Sequence, residues 1–349
     1  MEQKIKWGII AAGGIARRRT LPAIHLVKNA EVIGIMDSNT SLLEDIAKEY
    51  HIPNCYDSAE ALLENEEIDA VYVASPVCFH KEHAIKTLQA GKHLLLEKPI
   101  GLDLEEAKEI MEIAEQSDRK VGIAMIMRFH QGHREMKKII ENGGLGDIVS
   151  CRAQLTCWFP DMENNWRQHW KTGGGGALVD MGVHCIDLLR FLLDDDVDRV
   201  YGEIGTRTFQ YEVDDSADCL LHMKKGASCY VDVHFNIPDE AANGMLEIYG
   251  TKGSFIANGT IGQDGKGEIK FTAVSGQEGY NSQQVRDTGM GAKDFVYEFK
   301  NPYAQQITEF SDAILNDGPV STPLRHVFKT MQIVDALYKS AADKKVCEI

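Results

Sequence analysis

The chain has 349 residues, 44% apolar and 26% charged, with 31 glycines and 9 prolines, the composition of an ordinary globular protein rather than a fibrous, disordered or membrane-spanning one. Lysine and arginine number 37 against 53 acidic residues, a net charge of -16 without a long block of like charge. A polyanionic partner is disfavoured, because phosphate contacts need a positive surface, and the length suggests two domains of roughly 150 residues.

From residue 4 to 124, short apolar β-type runs alternate with helical stretches, the rhythm of a parallel sheet with crossover helices. The candidate strands are Lys6–Ile10, Glu31–Met36, Ala70–Ala74, His93–Leu96 and Val121–Ala124. Ser41 with Glu44, Asp57 with Glu60, and Asp103 with Glu106 have capping-box spacing and are expected to start three helices. Beyond about residue 125 the rhythm changes to a helix Gly132–Asn142, a strand Ile148–Leu155, an aromatic loop, and a long apolar helix from about Ala177 to Leu193. Alternating strands follow over Val200–Thr208, Ser216–Met223, Ser228–Asn236 and Met245–Tyr249. Residues 259–291, rich in glycine and polar groups, read as an exposed excursion, and two helices close the chain at about 303–316 and 324–342. The expectation is an α/β protein: a doubly wound parallel sheet over residues 1–124, then an α+β domain over 125–349 with a large, mainly antiparallel open sheet. The closing helices are placed to pack back on the first domain.

The eight cysteines (55, 78, 151, 157, 185, 219, 229 and 347) form no C-x-x-C pair, so neither a disulfide framework nor a metal site is signalled. They read as buried thiols in a reducing cytoplasm. The apolar run Trp7–Ala16 ends in Arg17-Arg18-Arg19, where a signal-peptide cleavage site needs small residues. No run approaches the roughly 18 to 20 apolar residues of a spanning helix. A soluble, cytoplasmic protein is expected.

Two constellations carry chemistry. In the first, strand Lys6–Ile10 runs into Ala11-Ala12-Gly13-Gly14-Ile15-Ala16, a G-x-G-x-x-A pattern with alanine at its first position. Asp37 ends the second strand, where a dinucleotide fingerprint places an acid for a ribose hydroxyl. A tight turn and a capping aspartate are the plain alternatives, and the same layout serves the adenosyl cofactor of methyltransferases. These residues therefore mark a nucleotide pocket, not yet a redox reaction. For a nicotinamide dinucleotide, a carboxylate at 37 repels a 2'-phosphate and neither Ser38 nor Asn39 offsets it, so NAD is expected over NADP. Arg17, Arg18 or Arg19 swinging across would reverse that preference.

In the second, the fourth strand leads into Glu97-Lys98-Pro99, and the proline drives Lys98 toward an extended backbone at a strand's carboxyl end, where open parallel sheets bind ligands. Downstream of Gly173–Gly176, Asp180, His184 and Asp187 share one face of an otherwise apolar helix. Buried there, they must pair or face a cavity. A surface lysine and a self-satisfied Asp–His pair are the bland readings.

Together with Ser75-Pro76 and His80, Arg128-Phe129, Trp166-Arg167 and the run Gly174 to Asp187, these motifs resemble the Gfo/Idh/MocA oxidoreductases, in that family's order and over both halves of the chain. The departure is Ala11, which slightly tightens the turn. The resemblance implies a Rossmann domain, a second domain whose open sheet often forms a homo-oligomer interface (dimer or tetramer), and a catalytic trio at Lys98, Asp180 and His184. It also implies cofactor contacts from Ala12, Gly13, Gly14, Ile15, Asp37, Ser75, Pro76, His80, Glu97, Lys98 and Arg167. Substrate contacts are expected from Lys98, Arg128, Trp166, Asp180, His184 and Tyr303, with His169 as a further hydroxyl partner and Asp187 as a structural residue.

The expected reaction is NAD-dependent oxidation of a secondary alcohol of a sugar, sugar derivative, glycoside or cyclitol. His184 serves as base and Lys98 as the charge beside the developing alkoxide. Trp158, Phe159, Trp166 and Trp170 form either an inter-domain core or an aromatic pocket mouth. Two other readings stay open: a redox-neutral enzyme that retains NAD and cleaves glycosides through transient oxidation, and an NAD-binding regulator without turnover.

Overall fold

The structure is a computed structural model that describes residues 3–242, 244–274 and 291–349. Its first half is a six-stranded parallel sheet of β1 (Ile5–Ile10), β2 (Ala30–Met36), β3 (Asn54–Tyr56), β4 (Ala70–Val73), β5 (His93–Leu96) and β6 (Val121–Ile123), in the order β3-β2-β1-β4-β5-β6. Strands β4 and β5 are near-continuous apolar runs because helices cover both faces, and Val71, Tyr72, Leu94 and Leu95 are fully buried. Edge strand β3 escapes the hydrophobic pattern: it is three residues long and polar, held by pairing of Gly34 to Met36 with Asn54 to Tyr56.

Of the three expected helix starts, one stands as read, with Asp103 Oδ1 accepting from Glu106 N at 2.9 Å. The other two shift. Asn39, not Ser41, caps the helix Thr40–Tyr50, and Ser58, not Asp57, caps Ala59–Leu63. In each case the extended residue whose oxygen reaches the third helical N–H takes the role, at 3.1 and 3.3 Å respectively.

The second sheet has nine strands: β7 (Ile148–Thr156), β8 (Val197–Gly205), β9 (Ser216–Met223), β10 (Ser228–His234), β11 (Met245–Gly250), β12 (Gly253–Asn258), β13 (Glu268–Ala273), β14 (Ala292–Asp294) and β15 (Cys347–Glu348). Their order is β14-β13-β12-β11-β7-β10-β9-β8-β15, and among the described pairs only β7 with β10 is parallel. Cys151, Ala153, Val231, Val233, Leu246 and Ile248 line its buried face under the helix Val183–Leu193, while Leu220, Tyr230 and Tyr249 on the opposite face are exposed. Strand β8 ends before Thr208 because Asp215 draws the N–H groups of Arg207, Thr208 and Phe209 at 2.9, 2.7 and 3.0 Å, pulling that stretch out of the ladder.

Residues 259–291 are not simply an exposed excursion. Thr260, Ile261 and Ile269 are buried and Glu268–Ala273 pairs with β12, because alternate apolar residues of β13 fall over the core. Residues 275–290 of that span lie outside the described residues. The helix Pro302–Leu315 returns to the first sheet, where Trp7 Nε1 donates to Ser311 Oγ at 3.2 Å, and Ile123 N donates to Thr322 O at 3.0 Å. The helix Leu324–Asp343 packs on β8.

All eight cysteines are free, but only Cys151, Cys185, Cys219 and Cys229 are buried and Cys55 is exposed, since it sits outward on an edge strand. Among the described residues no helix is long and apolar enough to cross a membrane, and no group of three or more His, Cys, Asp and Glu is arranged to hold a metal ion.

Candidate active site

A cleft of about 880 Å³ opens at the carboxyl ends of β1, β4 and β5, and its far wall comes from the end of β7 and the turn that starts the long apolar helix. Open parallel sheets place ligands at this edge, where successive strands feed loops that diverge.

At the β1 end, Ala11 adopts a φ of 63°, a left-handed conformation that glycine takes without steric cost. Gly13 N donates to Asp37 Oδ2 at 2.9 Å, and a Cβ at Gly13 would lie 3.1 Å from that oxygen and from Leu42 Cδ2. A Cβ at Gly14 would meet nothing within 4 Å, so the turn leaves an open cradle beside the helix Gly13–Thr20. Asp37 Oδ1 also accepts from Asn39 N at 3.0 Å, which aims the carboxylate along the cleft. Cradle and acid fit a dinucleotide. Gly14, Ile15 and Asp37 line the cleft; Ala12 is fully buried beneath the turn and, with Gly13, supports it from behind.

At the β4 and β5 ends, His80 Nδ1 lies 2.7 Å from Pro99 O and its Nε2 2.9 Å from Ser75 O. Burial pushes this imidazole down to about 4. His80 therefore holds the two loops close through the one hydrogen bond a neutral imidazole can donate, and it also lines the cleft. Ser75, Pro76 and Glu97 line the cleft. Burial raises the Glu97 carboxyl, whose Oε1 accepts from Tyr72 OH and whose Oε2 accepts from Lys98 N at 3.2 Å.

Lys98 and the second half of the chain meet directly. Lys98 Nζ donates to Asp180 Oδ1 at 2.7 Å and to the Asp180 carbonyl at 2.6 Å. Burial opposes charge on Asp180, but Lys98 and then Arg167 outweigh it and hold the carboxyl well below its usual range. Arg167 Nε is 3.8 Å from the same oxygen, and its guanidinium carbon sits 4.1 Å from the Trp166 ring centroid. One helical turn on, His184 is pushed down to about 3, first by burial and then by repulsion from Lys98. Its Nδ1 is buried without a hydrogen-bond partner. Trp166, Arg167 and Tyr303 line this same cleft.

Three expectations are not met. Arg128 is buried away from the cleft and locked to Asp187, with Nε to Oδ2 at 2.7 Å and Nη2 to Oδ1 at 2.5 Å, so its guanidinium is spent on an internal ion pair and not on substrate. His169 is exposed and faces Glu212 at 3.2 Å. The aromatic segment divides: Phe159 and Trp166 line the cleft, whereas Trp158 and Trp170 are exposed outside it.

Arg18, one of the three arginines able to reverse the NAD preference, lines the cleft together with Asp37, whereas Phe79, His83 and Gln263, which also line it, escaped the sequence reading. His83 follows His80 on the same helix, but that spacing carries no specific signal. Gln263 arrives from the second half, and its Oε1 accepts from Arg19 Nε at 3.4 Å.

Residues 5–125 match a family model described as the oxidoreductase family with an NAD-binding Rossmann fold, and residues 133–256 match the GFO/IDH/MocA C-terminal domain. The chain is 27% identical to 1,5-anhydro-D-fructose reductase of Ensifer adhaerens over 345 residues, covering 99% of this chain and 98% of that one. It is 29% identical to glucose-6-phosphate 3-dehydrogenase of Bacillus subtilis over 263 residues, 72% of this chain and 73% of that one. A levoglucosan dehydrogenase solved with NADH and levoglucosan superposes with a TM-score of 0.88 at 22% identity, covering 99% of this chain and 100% of that one. An aldose-aldose oxidoreductase from Caulobacter crescentus superposes at 0.89 with 20% identity and the same coverage, so the fold is shared.

Proposed function

The chain belongs to the Gfo/Idh/MocA oxidoreductase family, and on that premise we propose that it moves a hydride between NAD and a secondary alcohol of a sugar, sugar derivative, glycoside or cyclitol. Gly14, Ile15, Asp37, Ser75, Pro76 and Glu97 would hold the dinucleotide, which when bound supplies the hydride acceptor. Asp37 accepts from ribose hydroxyls and repels a 2'-phosphate, which favours NAD over NADP.

The remaining chemistry falls to the chain. Lys98 presents its ammonium where the reacting oxygen gains negative charge and stabilises that charge. His184 is neutral near pH 7, so its imidazole is ready to accept the hydroxyl proton. Growing charge on the substrate oxygen offsets the Lys98 repulsion that depresses His184, so the ring becomes more basic as the reaction proceeds. Asp180 orients Lys98 and, with Arg167 backed by Trp166, offers acceptors and donors to neighbouring hydroxyls. The first two relatives named above bear the names of sugar enzymes, which supports a polyhydroxylated substrate. The same reading divides the chain near residue 125 into cofactor and substrate halves, and uses the uncovered face of the second sheet for a homo-oligomer.

The observation that carries the proposal is the 2.7 Å pair between Lys98 of the first half and Asp180 of the second, one turn from His184 in the cleft that holds Asp37. A panel of inositols, free sugars and glycosides, followed by NADH absorbance and mass analysis of the carbohydrate, tests it. Net NADH with an oxidised product of unchanged carbon skeleton supports the proposal. Absence of NADH across the panel, with released aglycone or no product, contradicts it.

A further inference from the structure

Asp214 lies in the segment that enters β9, is 3% exposed, and does not line the cleft. Its carboxylate nevertheless governs the element that carries the reacting groups. Oδ1 accepts from Gly176 N at 2.9 Å and from Tyr338 OH at 2.7 Å, and Oδ2 accepts from Leu178 N at 2.9 Å. The Asp214 carbonyl takes the intervening Ala177 N at 2.9 Å. Three consecutive N–H groups at the start of the turn Leu178–Gly182 are therefore satisfied by one residue 36 to 38 positions away.

The glycines of this stretch allow the approach. A Cβ at Gly176 would sit 1.8 Å from Asp214 O, and one at Gly175, whose φ is +154°, would sit 2.5 Å from the Tyr338 hydroxyl. Asp180 follows Leu178 by two residues, and its N–H bonds back to Gly176 O at 2.9 Å, so any slip of Gly176 is passed to Asp180. Tyr338 comes from the closing helix Leu324–Asp343, which fixes the carboxylate from behind.

We infer that Asp214, seconded by Tyr338, is a positioning group for the reaction: it sets the height and rotation of the turn that delivers Asp180 to Lys98. This rests on the proposed roles of Asp180 and His184. Asp214 touches neither the cleft nor the reacting atoms, so its effect passes through Asp180.

The test compares Asp214→Asn in the wild-type and Asp180→Asn backgrounds, with kcat and KM for an accepted sugar, NADH affinity by fluorescence titration, and thermal unfolding. Asp214→Asn is expected to lower kcat by about 10- to 100-fold, the scale of a misplacement near 1 Å, with NADH affinity within about twofold of wild type. In the Asp180→Asn background the same change is expected to lower kcat by less than about threefold, because the aligned group is already gone. Tyr338→Phe keeps the carboxylate and removes one donor, so it carries the same comparison if Asp214→Asn does not fold, with a loss of about three- to tenfold in the wild-type background only. Full multiplicative losses in both backgrounds, or unchanged kcat in both single variants, overturn the inference while leaving the active-site reading intact. Unchanged turnover in Asp180→Asn itself overturns that reading, and this inference with it.

Discussion

Lys98 and Asp180 are separated by 82 positions of chain and belong to different sheets' connections, yet their side chains meet at 2.7 Å in the cleft between those sheets. The pair does two things at once. It offsets the burial that disfavours charge on the Asp180 carboxylate, and it holds the ammonium in the same cleft as the dinucleotide cradle and His184.

The ion pair of Arg128 with Asp187 has a different role. Both groups are almost fully buried and neither lines the cleft, so removing one partner strands an uncompensated charge. Arg128→Met is expected to destabilise the fold by about 3 to 5 kcal/mol while leaving KM for the sugar within about twofold. Denaturant unfolding and steady-state kinetics on the folded fraction check both halves; a large rise in KM with unchanged stability would restore Arg128 as a substrate ligand.

The pH profile follows from His184. Its imidazole is pushed down to about 3, and a base works in its unprotonated form, above its pKa. In the oxidation direction, kcat/KM is therefore expected to stay level as pH falls from about 8 to about 5, declining only below that. An acid limb near the ordinary imidazole value of about 6.5 would show that His184 is not held in this environment or is not the base.

Cofactor choice rests on Asp37, whose two oxygens already accept from Gly13 N and Asn39 N and face the cleft. Asp37→Ala is expected to weaken NADH binding by about tenfold and to improve NADPH relative to NADH, since it removes ribose acceptors and a repelling charge together. Fluorescence titration with both cofactors reads the ratio. Tighter binding of NADPH than of NADH by the unaltered protein would contradict the assignment.

Ala11 holds a left-handed backbone, which costs a residue with a Cβ roughly 1 to 2 kcal/mol, whereas glycine loses somewhat more entropy on folding. Ala11→Gly is expected to stabilise the protein by about 0.5 to 1 kcal/mol, seen as a small rise in Tm, with NADH affinity unchanged. A fall in Tm would mean that the Ala11 side chain contributes packing that outweighs the strain.

Much of this site could be read from local pattern. The glycine turn, the acid closing β2 and the Glu97-Lys98-Pro99 run each sit within a few residues of a strand end, and strand ends are marked by apolar runs. Asp180 and His184 stood out because charged groups on an otherwise apolar helix need a reason. What escaped was set by tertiary pairing. Arg128 was expected at the substrate because of the motif it belongs to, but Asp187, 59 positions later, holds it. Asp214 carries no periodic signal, and its partners Gly176 and Tyr338 lie 38 positions before it and 124 after it. Strands β3, β14 and β15 are too short to show alternation and exist because a neighbouring edge offers backbone partners.

The central claim is that an ammonium from one half of the chain and an imidazole from the other act on one bound alcohol. It is tested most directly by measuring kcat and NADH affinity together in Lys98→Met and His184→Ala. Each variant is expected to lose at least about a hundredfold in kcat while binding NADH within about threefold of the unaltered protein. Near-normal turnover in either variant, with NADH still bound, would contradict the account.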